Sequence, residues 1–378
     1  MANEVTINNN ILTWAVARAG YGMDEFAKVK NFPRLLEWID EKKKPTIKQL
    51  EDFSNKVHIP FGYLFLAEPP IENLPFPFFR TGNQATTKVS INIYDTILLL
   101  QKRQEWLTDY LQEADFEPLN FVGKYNAQSD ALSIVTDIRK ALNLEQDWAA
   151  RFSTWEDAKK HLSDKIEESG IVISFNSVVG NNNYRPINVE ECRGFVLVDK
   201  YAPFMFINAA DSKAAQMFTL VHELAHIWIG QSAGFDFKEL LPSDNPIEQL
   251  CDKVAAEFLV PANLFDSYWQ QNQDFKSVAR RFKVSPIVAA RRALDLGKIT
   301  KNEFFQFYYT YLSSLPPKKD KQSTGGGDFY ATQKVRLSLR FMGHLTQALK
   351  EGKIPYRDAY KLSGLTGETL QNFIKKTL

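Results

Sequence analysis

The sequence has few cysteines, almost no net charge and no long apolar run. Only Cys192 and Cys251 occur in 378 residues, which excludes a disulfide framework. The formal net charge is +1, so any nucleic-acid contact has to be local. The first ten residues, MANEVTINNN, lack the basic start and apolar run of a secretion signal. No apolar stretch approaches the roughly 20 residues that span a bilayer. These absences predict a cytoplasmic protein with no membrane segment.

The remaining composition is that of an ordinary globular protein, with 44% hydrophobic and 24% charged residues. This length is sufficient for two or three domains. Proline is frequent at 68–82, and residues 313–328 are poor in apolar side chains and rich in Lys, Pro and Gly, which is typical of a linker and a mobile loop. Three regions are therefore predicted: a helical module with its linker (1–82), a central domain (83–311), and a loop with a C-terminal helical region (312–378).

The spacing of apolar residues predicts mostly helices, with strands near the middle of the chain. Several short helices are expected within 9–66. Three runs rich in β-branched or aromatic residues predict strands at 170–175, 193–199 and 203–208. Longer helical patterns occupy 91–115, 129–143, 155–169, 212–229 and 246–259. We therefore expect an α+β fold that is mainly helical, with a small β-sheet packed beside a zincin-type pair of metal-binding helices.

The segment VHELAHIWIG contains two histidines four residues apart, His222 and His226, with Glu223 between them. On a helix, residues four apart share a face, so both imidazoles can bind one metal ion. The neighbouring residues are apolar nearly all round the helix, and burying such polar groups without partners is costly. The pattern predicts one zinc ion per chain, held by His222 and His226, with Glu223 as the general base. The alternative is three ordinary hydrogen-bonded groups of a buried helix.

A zinc peptidase site needs a third protein ligand, and no histidine follows His226 until His344. The downstream carboxylates that could serve are Asp236, Glu239, Asp244, Glu248, Asp252 and Glu257. Glu248 is our prediction, because Asp252 lies four residues further along the same helix. Two like charges at this spacing are explained if Glu248 binds the cation and Asp252 accepts a hydrogen bond from a ligand imidazole. Glu257 is the second choice, and a simple N-terminal helix charge is the alternative for Glu248.

The segments FTLVHELAHIWIG (218–230) and EQLCDKVAAEFLVP (248–261) resemble the ImmA/IrrE family of bacterial metallopeptidases. Val254 stands where the family usually has Phe. Residues 11–70 also resemble the degenerate XRE-type helix-turn-helix of longer family members, and the tail after 325 resembles their C-terminal region. The resemblance implies a gluzincin-like zinc endopeptidase in region 83–311. Its expected substrate is a partner protein, such as a repressor or a toxin–antitoxin partner encoded nearby.

The competing interpretation is a non-proteolytic transcriptional regulator or antitoxin, in which the metal is structural or sensory. A different zinc hydrolase is a third, weaker interpretation. DNA binding through 9–66 has little support from the residues themselves. The expected recognition region offers Arg34 and the lysines at 42–44, whose charge is largely offset by Glu37, Asp40 and Glu41.

Two further expectations concern the substrate. The strand 203–208 precedes the metal helix and could bind an extended peptide by adding it at a sheet edge, unless it lies in the sheet interior. A donor for the tetrahedral oxyanion is also needed. Arg193, Tyr268 and Arg291 are the candidates, and each could instead have a structural role.

Overall fold

A computed structural model describes residues 4–74, 89–235, 245–314 and 328–377, together with the backbone of two short strands at 78–79 and 85–86. The residues form two compact units by their contacts. Unit 1 comprises residues 1–75 and 87–95, and unit 2 comprises 76–86 and 96–378. The predicted loop 313–328 falls mainly outside the described residues. The three predicted region boundaries therefore stay predictions.

Unit 1 is built from short helices around an aromatic core. Thr46 begins the last of them with a capping box, in which its side chain accepts from the Gln49 amide and the Gln49 side chain accepts from the Thr46 amide. Phe26 and Phe53 pack edge to face with ring centroids 5.8 Å apart. The helices are α1 (Asn9–Arg18), α2 (Met23–Val29), α3 (Arg34–Ile39) and α4 (Ile47–Val57).

Unit 2 contains a six-stranded mixed sheet and a separate two-stranded hairpin. The order of the six strands is β2-β1-β8-β6-β7-β3. Strand β6 pairs antiparallel with both β7 and β8, and β7 pairs parallel with β3. The strands are β1 (Phe78–Phe79), β2 (Ala85–Thr86), β3 (Val172–Asn176), β4 (Val178–Val179), β5 (Asn182–Pro186), β6 (Gly194–Leu197), β7 (Phe204–Asn208) and β8 (Ala233–Phe235).

Helices make up most of unit 2. The helix α5 begins in unit 1 and continues in unit 2. The helices are α5 (Ile91–Glu113), α6 (Ala131–Leu142), α7 (Trp155–Glu168), α8 (Lys213–Ile229), α9 (Pro246–Leu259), α10 (Ala262–Trp269), α11 (Phe275–Phe282), α12 (Pro286–Asp295), α13 (Lys301–Ser314), α14 (Phe329–Leu337), α15 (Leu339–Lys350), α16 (Tyr356–Ser363) and α17 (Gly367–Thr377). The predicted α+β class, mainly helical with a small sheet, is confirmed.

Helix α8 forms the centre of unit 2, because it packs against the sheet on one side and against α9 on the other. Its N-terminus is capped by the Ser212 side chain, and it ends at Gly230 in the left-handed conformation, with φ of 81°. A Cβ atom at Gly230 would lie 2.7 Å from the Cα of Gly123, so the close approach requires glycine at this position. From Gln216 to Ile229 every side chain except Phe218 is buried. The polar residues of the predicted motif therefore lie in the interior.

Helix α9 is held in place at both ends. Asn245 caps its first turn, and Pro246 occupies a position where a missing N–H has no cost. At the other end, Arg139 from α6 donates to the carbonyl of Phe258, and Nε of Arg292 donates to the carbonyl of Val260 at 2.9 Å. These two cations also suit the negative end of the helix dipole. These contacts anchor both ends of α9.

The structure contradicts the expectation that strand 203–208 binds a substrate at a sheet edge. Strand β7 lies between β6 and β3, and both of its backbone edges are paired. All five of its side chains are buried, which is typical of an interior strand. Separately, in the part of the chain that the structure describes, no helix combines the length and apolar character needed to cross a membrane.

Candidate metal centre

The two predicted histidine ligands lie on the same face of α8 and point to one place. The Nε2 atoms of His222 and His226 are 3.2 Å apart. Both side chains are almost fully buried, with exposed fractions of 0% and 1%. This proximity follows from their spacing, because residues one helical turn apart stack on the same face.

Glu248, from the first turn of α9, completes the group. Its Oε2 atom lies 3.1 Å from Nε2 of His222, and its Oε1 atom lies 3.4 Å from Nε2 of His226. Its side chain is also buried, although charged groups are rarely buried without a partner. Among the described residues, His222, His226 and Glu248 are the one group of three or more metal-ligating side chains whose atoms converge in this way.

The spacing of these atoms fits a tetrahedral zinc ion. With zinc–ligand distances of about 2.0–2.1 Å, two ligand atoms of a tetrahedron are separated by ~3.3 Å. The two Nε2 atoms are 3.2 Å apart, and the contacts of Glu248 are 3.1 Å from Oε2 to His222 and 3.4 Å from Oε1 to His226, all close to this value. Two imidazoles and one carboxylate are also a donor set that zinc accepts in catalytic sites, where the fourth position stays open. The residues present therefore fit the predicted metal.

Asp252 lies one helical turn beyond Glu248 and contacts the opposite side of the His222 ring. Its Oδ1 atom is 3.0 Å from Nδ1 of His222. A carboxylate at this position accepts the Nδ1 proton and leaves Nε2 as the atom that faces Glu248 and His226. The contact is the one expected from the four-residue spacing of the two acids.

Glu223 is buried next to this group, yet it does not hydrogen-bond to it. Neither of its carboxylate oxygens has a hydrogen-bond partner among the described residues. Gly194, at the start of β6, lies beside it: a Cβ atom there would be 3.3 Å from Oε1 of Glu223 and 2.5 Å from Cγ2 of Thr219. A buried, unpaired carboxylate is costly, and such groups are characteristic of sites that act on a ligand.

Burial and neighbouring charges shift the pKa values of three of these groups in the metal-free protein. Burial raises the pKa of Glu223 to about 8, and the charge of Glu248 adds to the effect. Burial opposes the charged form of His222, but hydrogen bonds to Asp252 and Glu248 prevail and raise its pKa to about 10. Burial likewise opposes the charged form of Glu248, but its contacts with His222 and His226 prevail and hold its pKa well below its usual range. A metal ion and a proton therefore compete for His222.

The other acidic candidates for the third ligand are placed elsewhere or lie outside the described residues. Glu257 forms an ion pair with Arg292 near the far end of α9. Asp236, Glu239 and Asp244 fall within 236–244, which the structure does not describe. Asp252 contacts a histidine nitrogen and not the common point of the three ligand atoms. The geometry therefore favours Glu248 over Glu257.

The three candidate oxyanion donors occupy different surroundings. Arg193 directly precedes Gly194, and its Nη1 atom lies 3.5 Å from Oδ2 of Asp211. Arg291 forms an ion pair with Asp295 at 2.9 Å, and Tyr268 packs against the ring of Phe282. Of the three candidates, Arg193 is the one that adjoins Gly194, which lies beside Glu223. Its role as an oxyanion donor stays a prediction.

Sequence reasoning missed Gly194, although a side chain at this position would clash with Thr219 of α8 and approach Glu223. The available signal was a glycine inside a strand pattern, since such a glycine often marks a close backbone approach. Cys251, which precedes Asp252 on α9, is fully buried in the apolar core.

Comparison with known families agrees with this geometry. The family model described as the IrrE N-terminal-like domain, Peptidase_M78, matches residues 166–294. A second model, described as a domain of unknown function (DUF8813), matches residues 337–376. No curated protein sequence matches the chain. The first match contains both α8 and α9, so residues 166–294 are similar to the IrrE N-terminal-like domain, in agreement with the resemblance to ImmA/IrrE proteins.

Proposed function

We propose that the protein is a zinc-dependent endopeptidase of the gluzincin-like kind, which hydrolyses a peptide bond in a partner protein. The observation that carries the proposal is the convergence of the two Nε2 atoms of His222 and His226 with the carboxylate of Glu248, at separations that suit one tetrahedral ion. A buried Glu223 beside it, with both carboxylate oxygens unpaired among the described residues, supplies the base.

His222, His226 and Glu248 hold the ion in this proposal, and Asp252 orients the His222 ring through Nδ1. When bound, zinc supplies Lewis-acid chemistry: it lowers the pKa of water and polarises a carbonyl. Glu223 accepts the proton of the attacking water on a carboxylate oxygen. It then donates that proton to the nitrogen of the leaving amine. Burial makes the Glu223 carboxylate a stronger base, and the charge of a bound zinc ion would favour its ionised form before the water is activated.

The substrate in this proposal is a protein, because the domain family is a family of peptidases. We propose a repressor or a toxin–antitoxin partner encoded near the gene, which is the partner class that the resemblance to ImmA/IrrE proteins implies. A cytoplasmic location is part of the same proposal.

A direct test combines metal analysis with cleavage of co-purified partners. Elemental analysis of the purified protein should give about one zinc per chain, and His222→Ala should abolish it. Glu223→Gln should retain the zinc and stop cleavage, because the amide cannot accept the proton. Glu168→Gln, on the exposed side of α7, is the matched control and should cleave normally. Cleavage retained in Glu223→Gln would refute the assignment of the general base.

A partner that binds tightly but is never cut by the zinc-loaded protein would favour the regulatory interpretation. In that case the metal holds α8 and α9 together and has no catalytic role. The two outcomes are distinguished by mass spectrometry of the partner after incubation with equal amounts of wild-type protein and Glu223→Gln.

A further inference from the structure

We propose that α11 and α12 form a DNA-binding surface, in which Lys276, Arg280 and Arg281 contact the phosphate backbone of duplex DNA. This function is separate from the proposed peptidase activity. It also places the DNA contact in a different part of the chain from the helical module at 9–66.

The two helices have the construction of a helix-turn-helix. Helix α11 has eight residues, and α12 has ten. Three residues join them: Lys283, which takes the left-handed conformation with φ of 56°, then Val284 and Ser285. The Ser285 hydroxyl accepts from the Val288 amide and caps the second helix. A short turn of this length between two packed helices is characteristic of the motif.

The apolar sides of the two helices are buried in the core. Val278, Ala279 and Phe282 of α11 are buried, as are Val288 and Ala289 of α12. Helix α11 consequently has one buried face and one solvent-facing side, and the side chains on the solvent-facing side are those of Lys276, Arg280 and Arg281, all exposed. In a helix-turn-helix, the first helix crosses the DNA backbone, which is the contact that these three cations suit.

The positive charge here is concentrated, and the part of it on the exposed side of α11 is not paired with carboxylates. Between residues 275 and 298 there are seven basic residues and one acidic residue, Asp295, in a chain whose net charge is +1. None of Lys276, Arg280 and Arg281 forms an ion pair with a carboxylate among the residues that the structure describes. Three unpaired cations on one helix face are available to replace the counterions of a polyanion.

The lysines near α3 in unit 1 differ in this respect. Lys42 pairs with Asp40 at 2.7 Å, and Lys43 pairs with Glu37 at 3.1 Å. Residues 9–66 carry nine basic and seven acidic residues. The helix α3 is also only six residues long. Charge complementarity with DNA therefore favours the α11 face over the N-terminal module.

Other basic residues of α12 and the turn have structural partners and are not part of the surface. Arg292 is buried against Glu257 and the carbonyl of Val260. Lys283 is buried and donates to the carbonyl of Arg280, and Arg291 pairs with Asp295. Helix α12 therefore offers few polar side chains that could read base edges. We infer binding with little sequence preference.

The test uses the full-length protein and a fluorescently labelled mixed-sequence duplex of about 30 base pairs. Fluorescence anisotropy is measured between 50 and 200 mM salt. With three phosphate contacts, a plot of log K for DNA binding against log salt concentration should have a slope of about −2.7 or steeper. The variant K276Q/R280Q/R281Q should bind at least about tenfold more weakly at low salt, and its slope should be smaller by about 2.7.

The matched control is K42Q/K43Q/K44Q, which removes the same charge from unit 1 and should bind DNA as the wild type does. Single variants K276Q and R281Q, each expected to reduce the slope by about 0.9, keep the test valid if the triple variant does not fold. Glu223→Gln should also bind DNA normally, so failure of the peptidase proposal would not affect this one. The proposal is overturned if wild-type protein does not bind duplex DNA, or if the unit 1 variant loses binding while K276Q/R280Q/R281Q retains it.

Discussion

The Nδ1 atom of His222 lies 3.0 Å from the carboxylate of Asp252, while the Nε2 atom of the same ring lies 3.1 Å from Glu248. One imidazole is therefore held between two carboxylates of the same helix, one turn apart. This arrangement explains why two like charges stand at a spacing that otherwise destabilises a helix.

Removal of the Asp252 carboxylate should weaken zinc binding without removing a ligand. We expect Asp252→Ala to lower zinc affinity by about 10- to 100-fold, because the His222 ring loses the group that fixes its tautomer and orientation. Competition with a chromogenic chelator measures the affinity. Asp164→Ala, on the exposed surface of α7, is the control. Equal zinc affinity in wild-type protein and Asp252→Ala would show that the contact has no role in metal binding.

Zinc should stabilise the folded protein. Oε1 of Glu248 is buried without a hydrogen-bond partner among the described residues, and an ion bound beside it would supply a partner. An ion that binds only the folded state raises the free energy of unfolding by about 2.7 kcal/mol when its concentration is about 100 times Kd. Calorimetry with and without zinc measures the shift in Tm. His222→Ala should show no such shift, and an equal shift in that variant would place the zinc elsewhere.

Gly194 should not tolerate a methyl group. A Cβ atom there would lie 2.5 Å from Cγ2 of Thr219 and 3.0 Å from the carbonyl oxygen of Phe206. We expect Gly194→Ala to lower the free energy of unfolding by about 1–3 kcal/mol and to displace Glu223. Urea denaturation measures the loss. Thr219→Ser removes the clashing methyl group, so the double variant should recover part of the stability, and the absence of any recovery would refute the proposed contact.

His344 should make the protein less stable as the pH falls. Burial lowers the pKa of His344 from 6.5 to about 4, and the nearby charge of Arg340 adds to the effect. The rings of Tyr110 and Phe116 also face it. When folding lowers the pKa of a histidine, the contribution of that histidine to the free energy of unfolding is complete above pH 6.5. The contribution is lost as the pH falls toward 4.

The His344 ring is partly exposed, so its contribution is about 1 kcal/mol after allowance for solvent screening. Unfolding by urea at pH 7.5 and pH 4.5 measures the change for wild-type protein and His344→Gln. The variant should lose less stability over this interval. Identical losses in both proteins would assign the pH dependence to other groups. Glu167 is not one of them, because burial raises its pKa, and such a carboxyl stabilises the folded protein as the pH falls.

The helices and the histidine pair were predictable because their signals are local. Apolar periodicity predicted α8 and α9 within one residue at each end, and the spacing of His222 and His226 fixes their common face on any helix. Glu248 required one inference between elements, namely that two neighbouring buried helices pack together. Short elements such as the β4–β5 hairpin and β8 were missed, because two or three residues carry no periodicity.

The position of β7 shows a different limit. The segment PFMFIN is apolar throughout, and this pattern favours an interior strand over one with a free edge. The edge prediction gave too much weight to the closeness of this segment to α8 in sequence. Contacts such as Gly194 with Thr219 depend on how a sheet and a helix approach each other, and no single segment specifies that distance.

One consequence follows from α14, which packs against β3. The Ser174 hydroxyl of β3 donates to the carbonyl of Arg336 at 2.7 Å. Strand β3 is an edge strand of the sheet. The unpaired backbone N–H and C=O groups of an edge strand can pair with other chains, and proteins often cover such a strand with a helix. We therefore expect the C-terminal helices to prevent self-association through β3. A chain that ends before residue 328 should aggregate through this uncovered strand.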